Sequence, residues 1–269
     1  MKVSIEALEF VYPSGLKALD GVDLAVESGS RLGIVGQNGA GKTTLVRHLN
    51  GIFQPKAGTV RIGDWETTGR DIADLAARVG YVFQNPDEQL FARTVAGDVS
   101  FGPRNLGVAP ERIDEVVAQS LERVGLAGEG QTHPYHLSLS ERKRVALASV
   151  LAMDTPIVVL DEPTTGQDAR GVAMIERIVT ELNDEGRTVI AITHDMDFCA
   201  ETFDRVVVMA QGRILADGAP AEVFREAEAL DAARVEPPQL TRLSAALGWT
   251  EPVLTVGTFV DRLRDEERA

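Results

Sequence analysis

The chain has 269 residues, 44% of them apolar and 25% charged, the balance of a soluble globular protein, which excludes disordered and collagen-like classes. A net charge of −14 speaks against nucleic acid as a partner. One cysteine, Cys199, has no partner for a disulfide within the chain and suggests a reducing compartment.

In chain order, Glu6 stands where a secretory leader would be apolar, so the first residues read as mature protein. Short β-branched runs at Ile34 to Val35, Val79 to Phe83, Ile157 to Leu160, Thr188 to Thr193 and Arg205 to Met209 predict strands separated by segments of helical spacing. Such alternation implies a mainly parallel sheet. From about Val95 to Leu151 the pattern is helical without intervening strand, which reads as an inserted helical subdomain. Within it, Arg142-Lys143-Arg144 is the densest basic run and is expected to be a solvated helix face. Val145 to Met153 is the longest apolar run, far below the roughly 18 residues of a membrane span. The expectation is a cytosolic chain that does not cross a bilayer.

After Asp168, residues Val172, Ile175, Val179 and Leu182 fall three or four apart and Gly186 marks a stop, which predicts a helix covering the sheet. Gln211-Gly212 between two extended runs predicts a tight antiparallel hairpin. Beyond Gly218 the composition shifts, and Pro220, Pro237, Pro238 and Pro252 punctuate short helical stretches. Residues 1–218 read as the core domain and 219–269 as an appendage, whose charged end, Asp261 to Arg268, is expected to fray.

The most specific pattern is Gly36-Gln37-Asn38-Gly39-Ala40-Gly41-Lys42-Thr43, a G-x-x-x-x-G-K-[ST] loop between the apolar run Leu32 to Val35 and the helix-like Thr44 to Leu49. Glycines let main-chain amides approach phosphate oxygens, Lys42 neutralises the β and γ phosphates, and the Thr43 hydroxyl can ligate Mg2+. A second motif, Ile157-Val158-Val159-Leu160-Asp161-Glu162, ends an apolar strand in two carboxylates. Asp161 suits a Mg2+ shell and Glu162 suits polarising an attacking water. Alone, the pair could be a helix cap and its solvated neighbour; beside the phosphate loop that alternative recedes.

The rest of the chain resembles an ABC transporter ATPase subunit. The resemblance implies an α/β P-loop NTPase fold: a mainly parallel core sheet, an antiparallel β subdomain, the inserted helical subdomain and a C-terminal extension. In Phe10-Val11-Tyr12-Pro13, Tyr12 matches the aromatic that stacks on adenine, although a strand-core aromatic would look the same. Gln84, in Val82-Phe83-Gln84-Asn85-Pro86, matches the Q-loop glutamine, which touches Mg2+ and water. His194 matches the switch histidine, with Asp195 starting a helix, and Asp168 matches the D-loop aspartate at a dimer seam. His48, His133 and His136 receive no role. The implied ATP site is Tyr12, Gly36, Asn38, Gly39, Ala40, Gly41, Lys42, Thr43 and Thr44; the implied metal set is Thr43, Gln84 and Asp161; the implied catalytic set is Glu162, His194 and Gln84.

Within that family, Phe83 to Phe91, Asp98-Val99-Ser100-Phe101-Gly102-Pro103 and Glu236-Pro237-Pro238-Gln239 are similar to energy-coupling factor (ECF) ATPases, which serve vitamin and transition-metal uptake. This implies a second ATPase subunit, identical or paralogous. It also implies a transmembrane coupling component, a substrate-binding membrane component, and a peripheral place on the cytoplasmic face of the membrane. The family's L-S-G-G-Q signature is here Leu137-Ser138-Leu139-Ser140-Glu141. Ser138 and Glu141 have the form of a capping box, but side chains at Leu139 and Ser140 replace both glycines. A composite site using Ser138, Ser140 and Glu141 is therefore expected to be weakened, and Glu141 adds a like charge near the triphosphate unless it caps the helix. An alternative function follows: a weakly hydrolysing, nucleotide-gated dimerisation subunit paired with a more active paralogue.

Overall fold

A computed structural model describes residues 1–266. Its strands are β1 (Val3–Val11), β2 (Lys17–Val26), β3 (Arg31–Val35), β4 (Ala57–Ile62), β5 (Trp65–Glu66), β6 (Val79–Val82), β7 (Ile157–Asp161), β8 (Thr188–Ile192), β9 (Arg205–Ala210) and β10 (Arg213–Gly218). Its α-helices are α1 (Lys42–Val46), α2 (Ile72–Ala76), α3 (Val95–Asn105), α4 (Pro110–Arg123), α5 (Leu139–Leu151), α6 (Ala169–Asp184), α7 (Met196–Thr202), α8 (Pro220–Val223), α9 (Ala227–Ala233), α10 (Gln239–Ala246) and α11 (Val256–Glu266).

Six strands run in the order β10-β9-β3-β8-β7-β6, parallel except where β10 returns along β9. That return uses Gln211 at φ 50° and Gly212 at φ 76°, the two positive dihedrals a two-residue hairpin needs. The parallel strands are apolar throughout because both faces are covered. Val158, Leu160, Val189, Ala191, Val206 and Val208 join a core cluster with the helices, whereas Ile157, Val159, Ile190, Ile192, Val207 and Met209 join a second cluster. The second cluster is shared with an antiparallel sheet, β2-β1-β4-β5.

Helices α3, α4 and α5 fill the stretch read as an inserted subdomain, and α6 covers the sheet through Ile175, Ile178, Val179 and Leu182. The basic run on α5 is not the solvated face expected from its charge. Lys143 is buried, Arg142 pairs with Asp87 at 3.3 Å, and Arg144 donates to the Val124 carbonyl at 3.5 Å. Core burial also continues past Gly218: Val223, Phe224, Leu230 and Ala233 of the α8–α9 segment lie in the same cluster as the sheet. Helices α10 and α11 instead enclose a small cluster of Trp249, Val253 and Phe259. Part of the charged end, up to Glu266, belongs to α11; Glu267 and Arg268 lie outside the described residues.

Candidate functional site

The register of the parallel sheet gathers the motifs at one edge. Ile34 pairs with Ile192, Asp161 with Ile192, and Val82 with Leu160, so β3, β8, β7 and β6 end side by side. The segments leaving those ends carry Gly36 to Thr43, His194, Glu162 and Gln84. Such carboxyl ends are where α/β sheets place ligands.

Gly36 leaves β3 at φ 149°, and a Cβ there would lie 2.2 Å from the Met209 carbonyl oxygen, so only glycine permits the turn. Beyond it the Ala40 amide bonds the Gln37 carbonyl at 3.1 Å, while those of Asn38, Gly39, Gly41, Lys42, Thr43 and Thr44 meet no acceptor among the described residues. Uncommitted amides curled at a helix start form an anion cradle. They line a cleft of about 330 Å³ that also takes in Gln84 and Glu162. Lys42 Nζ donates to the Gly36 and Gln37 carbonyls at 2.6 and 3.1 Å, and burial lowers its pKa against the opposing pull of Glu162 and Asp161.

Asp161 is buried, and desolvation raises its pKa while hydrogen bonds from Tyr81 and Thr43 pull it back. Tyr81 Oη donates to Asp161 Oδ2 at 2.7 Å, and Thr43 Oγ1 reaches Oδ1 at 3.5 Å. Burial, with the neighbouring Asp161 charge, raises the Tyr81 pKa, so the phenol stays a donor. A hydroxyl, a carboxylate and the Gln84 amide beside a phosphate cradle are hard oxygen donors of the kind Mg2+ takes. Among the described residues no three His, Cys, Asp or Glu side chains gather into a metal cage. Thr43, Gln84 and Asp161, beside the amide cradle, fit a cation whose remaining ligands are phosphate oxygens.

Glu162 is also buried and adopts φ 52°, in the left-handed region. Its Oε2 lies 2.6 Å from His194 Nδ1, which joins two of the three expected catalytic side chains. Neither carboxylate of the pair is the helix cap that the alternative reading required. A second cavity, about 410 Å³, opens beyond them and is lined by Gly36, Gln84, Glu162, His194 and, from the C-terminal segment, Arg234. The Gln37 amide bonds the Ala233 carbonyl at 3.2 Å, and Gln239 N bonds Asp197 Oδ1 at 2.9 Å, so that segment grips both the phosphate loop and α7.

Tyr12 lines neither cavity. It edges onto Phe10 and Phe53, and its hydroxyl lies 2.8 Å from Thr44 Oγ1, next to the cradle. Ser138, Ser140, Glu141 and Asp168 also line neither cavity. Glu141 completes the capping box, accepting from Ser138 N at 2.8 Å and Ser138 Oγ at 2.7 Å, and those bonds hold its carboxyl below the usual range. The like-charge penalty is thus reduced by the cap. Leu139 and Ser140 have no positive φ, so the first turn of α5 accommodates them without backbone strain; what remains is bulk, with Leu139 49% exposed. Asp168 caps α6 by accepting from Gly171 N at 2.8 Å.

Sequence reasoning missed four residues of the site. Tyr81 looks like any strand aromatic, and Lys143 like a surface charge. Gln89 accepts from Phe83 N at 3.0 Å and donates to Ala146 O and Ser149 Oγ at 2.9 Å each. Gln167 accepts from Ser140 Oγ at 2.7 Å and donates to Ser140 O at 3.3 Å. Only their proximity to motif residues in sequence could have flagged them.

Residues 19–165 match the family model described as ABC transporter. The chain is 45% identical, over 90% of its own length and 78% of the relative's, to the energy-coupling factor transporter ATP-binding protein EcfA of Methanothermobacter thermautotrophicus. Among solved structures, cbiO1 of Clostridium perfringens, described as part of the ABC transporter complex cbiONQ, superposes with a TM-score of 0.75 at 35% identity, covering 91% of this chain and 98% of that one. A bacterial ABC transporter cassette solved as a dimer gives a TM-score of 0.74 at 25% identity, covering 81% of this chain and 98% of that one.

Proposed function

The chain belongs to the ABC transporter family and is an ATPase of that family, and from that premise we propose that it energises an ECF-type transporter for a vitamin or a transition metal. The observation that carries the chemistry is the buried Glu162 carboxylate, 2.6 Å from His194 and facing the amide cradle at Asn38 to Thr44. ATP lies with its phosphates on that cradle and on Lys42. Mg2+, where bound, is held by Thr43, Gln84 and the Asp161 shell and supplies charge neutralisation of the phosphates. Glu162 accepts a proton from the attacking water, and His194 holds that carboxylate and reaches the γ phosphate.

Catalysis is proposed to need two chains. The Ser138 loop and Asp168 lie away from this chain's own nucleotide cleft, which suits service to the ATP of a partner subunit, identical or paralogous. The similarity to a cassette solved as a dimer supports this.

Membrane partners are supported by a surface feature. A groove of about 710 Å³ runs between the Q-loop segment and the helical subdomain, with Ile72, Phe91 and Phe101 each more than half exposed along it. Large exposed apolar side chains around a groove suit an amphipathic helix of a transmembrane component. Among the described residues no helix is long and apolar enough to cross a membrane. The proposed place is thus the cytoplasmic face, held through that groove. Copurification with integral membrane proteins tests the reading. Phe91→Asp with Phe101→Asp should abolish it while leaving ATP binding intact; copurification undiminished by both changes would contradict the assignment.

A further inference from the structure

Lys143 is a buried cation for which the chemistry above has no use. It stands on α5, and its Nζ donates to the main-chain carbonyl of Glu162 at 3.0 Å. Burial lowers its pKa, opposed by the charges of Glu162 and Asp161. Glu162 is the residue at φ 52°. A side chain in the left-handed region is unfavourable and persists only where the surroundings over-determine it. Here both sides of the residue are fixed: its amide donates to Ile192 O of β8 at 2.9 Å, and its carbonyl accepts from Lys143.

The same helix holds two more segments around the cleft. Ser140 is bonded to Gln167, which precedes Asp168, and Ala146 O and Ser149 accept from Gln89, whose other end holds Phe83 next to Gln84. Of these links, Lys143 alone ends on the catalytic carboxylate's own residue.

We propose that Lys143 is a positioning residue for Glu162: it fixes the backbone of the base in its left-handed turn and ties the aim of the carboxylate to the placement of α5. The inference rests on Glu162 as the base. Displacing α5 by a fraction of an ångström re-aims the carboxylate, and misplacement of about 1 Å can cost on the order of 100-fold in rate.

The test compares Lys143→Met, which removes charge and donor, with Lys143→Gln, which removes the charge and keeps a donor. Both are made in the full-length chain assembled with its partner subunits. Lys143→Met should lower kcat by about 10- to 100-fold, with KM for ATP within about twofold, because the P-loop is untouched. Lys143→Gln should recover most of the rate and stands as a test by itself if the Met variant does not fold. A Gln variant as slow as a folded Met variant, or itself slowed beyond about tenfold, would show that the bond is not what matters. A KM that rises as much as kcat falls would show general damage instead. In a Glu162→Gln background, Lys143→Met should leave the residual rate unchanged, since nothing remains to position; a further fall overturns the proposal. Normal hydrolysis by Glu162→Gln alone would instead remove the base assignment, whatever the Lys143 variants do.

Discussion

Replacing Tyr81 with Phe removes one oxygen and little else. The ring keeps its edge contact with Phe83, at 4.9 Å between centroids, so no cavity is made. The Asp161 carboxylate, 2% exposed, loses its 2.7 Å donor and keeps only the 3.5 Å approach of Thr43. Hydrogen bonds to charged groups contribute about 1.5–3 kcal/mol. With an unfolding entropy of about 2.1 cal/mol/K per residue, a chain of this length should melt about 3–5 °C lower. The pH dependence has a definite sign. Burial holds the Asp161 pKa above its unfolded value, so the stability this group contributes is present at low pH and lost as pH rises through its folded pKa. Losing the Tyr81 bond raises that folded pKa further. The deficit of the variant should therefore be largest where Asp161 is ionised and shrink as the buffer is acidified. Thermal unfolding of both proteins across a pH series is the assay. Equal melting at neutral pH, or a deficit that grows on acidification, would show that the Tyr81 hydroxyl does not stabilise the ionised Asp161 carboxylate.

Lys42→Ala should weaken ATP and ADP binding alike, by about tenfold or more, in calorimetric titration; unchanged affinity would mean that the amide loop is not a phosphate site. Gly36→Ala should cost about 3 kcal/mol or more in urea unfolding, since the new Cβ meets the Met209 carbonyl oxygen at 2.2 Å; an unchanged midpoint would contradict the packing of that loop. Leu139→Gly with Ser140→Gly should raise the ATPase rate of the assembled transporter by clearing bulk from the signature loop. The gain has to exceed the loss of the Ser140–Gln167 bond, and a rate unchanged or lower would sink the idea that this loop is weakened.

What could be read from the sequence followed from how locally each signal is encoded. The parallel strands announce themselves as unbroken β-branched runs because both faces are buried, and the phosphate loop is marked by glycines, among them Gly36 and Gly41, where a Cβ would meet main-chain oxygens at 2.2 and 2.7 Å. The antiparallel sheet gave no such runs. In β2, Val22-Asp23-Leu24-Ala25-Val26 alternates buried and exposed positions, but Asp20-Gly21 breaks the period between Leu19 and Val22, a signal weaker than a continuous apolar stretch. The packing of the extension was hidden for a related reason: prolines mark where helices break, not whether their apolar faces join the core, as those of Val223, Phe224, Leu230 and Ala233 do. Lys143 was the sharpest failure. Three consecutive basic residues read as solvent-facing, yet they turn around the helix by 100° steps, and the middle one points inward onto Glu162. A role that depends on a contact between residues 143 and 162 leaves no trace in either segment alone.

The claim that ATP is cleaved across a two-chain seam is tested most directly by a crystal structure of the Glu162→Gln variant, assembled with its partner subunit and grown with Mg2+ and ATP. The triphosphate should lie uncleaved on the amides of residues 38–44, with the signature loop of the second subunit on its open side and this chain's Ser138 loop on the partner's nucleotide. A nucleotide bound elsewhere, or enclosed by one chain alone with the Ser138 loop facing solvent, would contradict it.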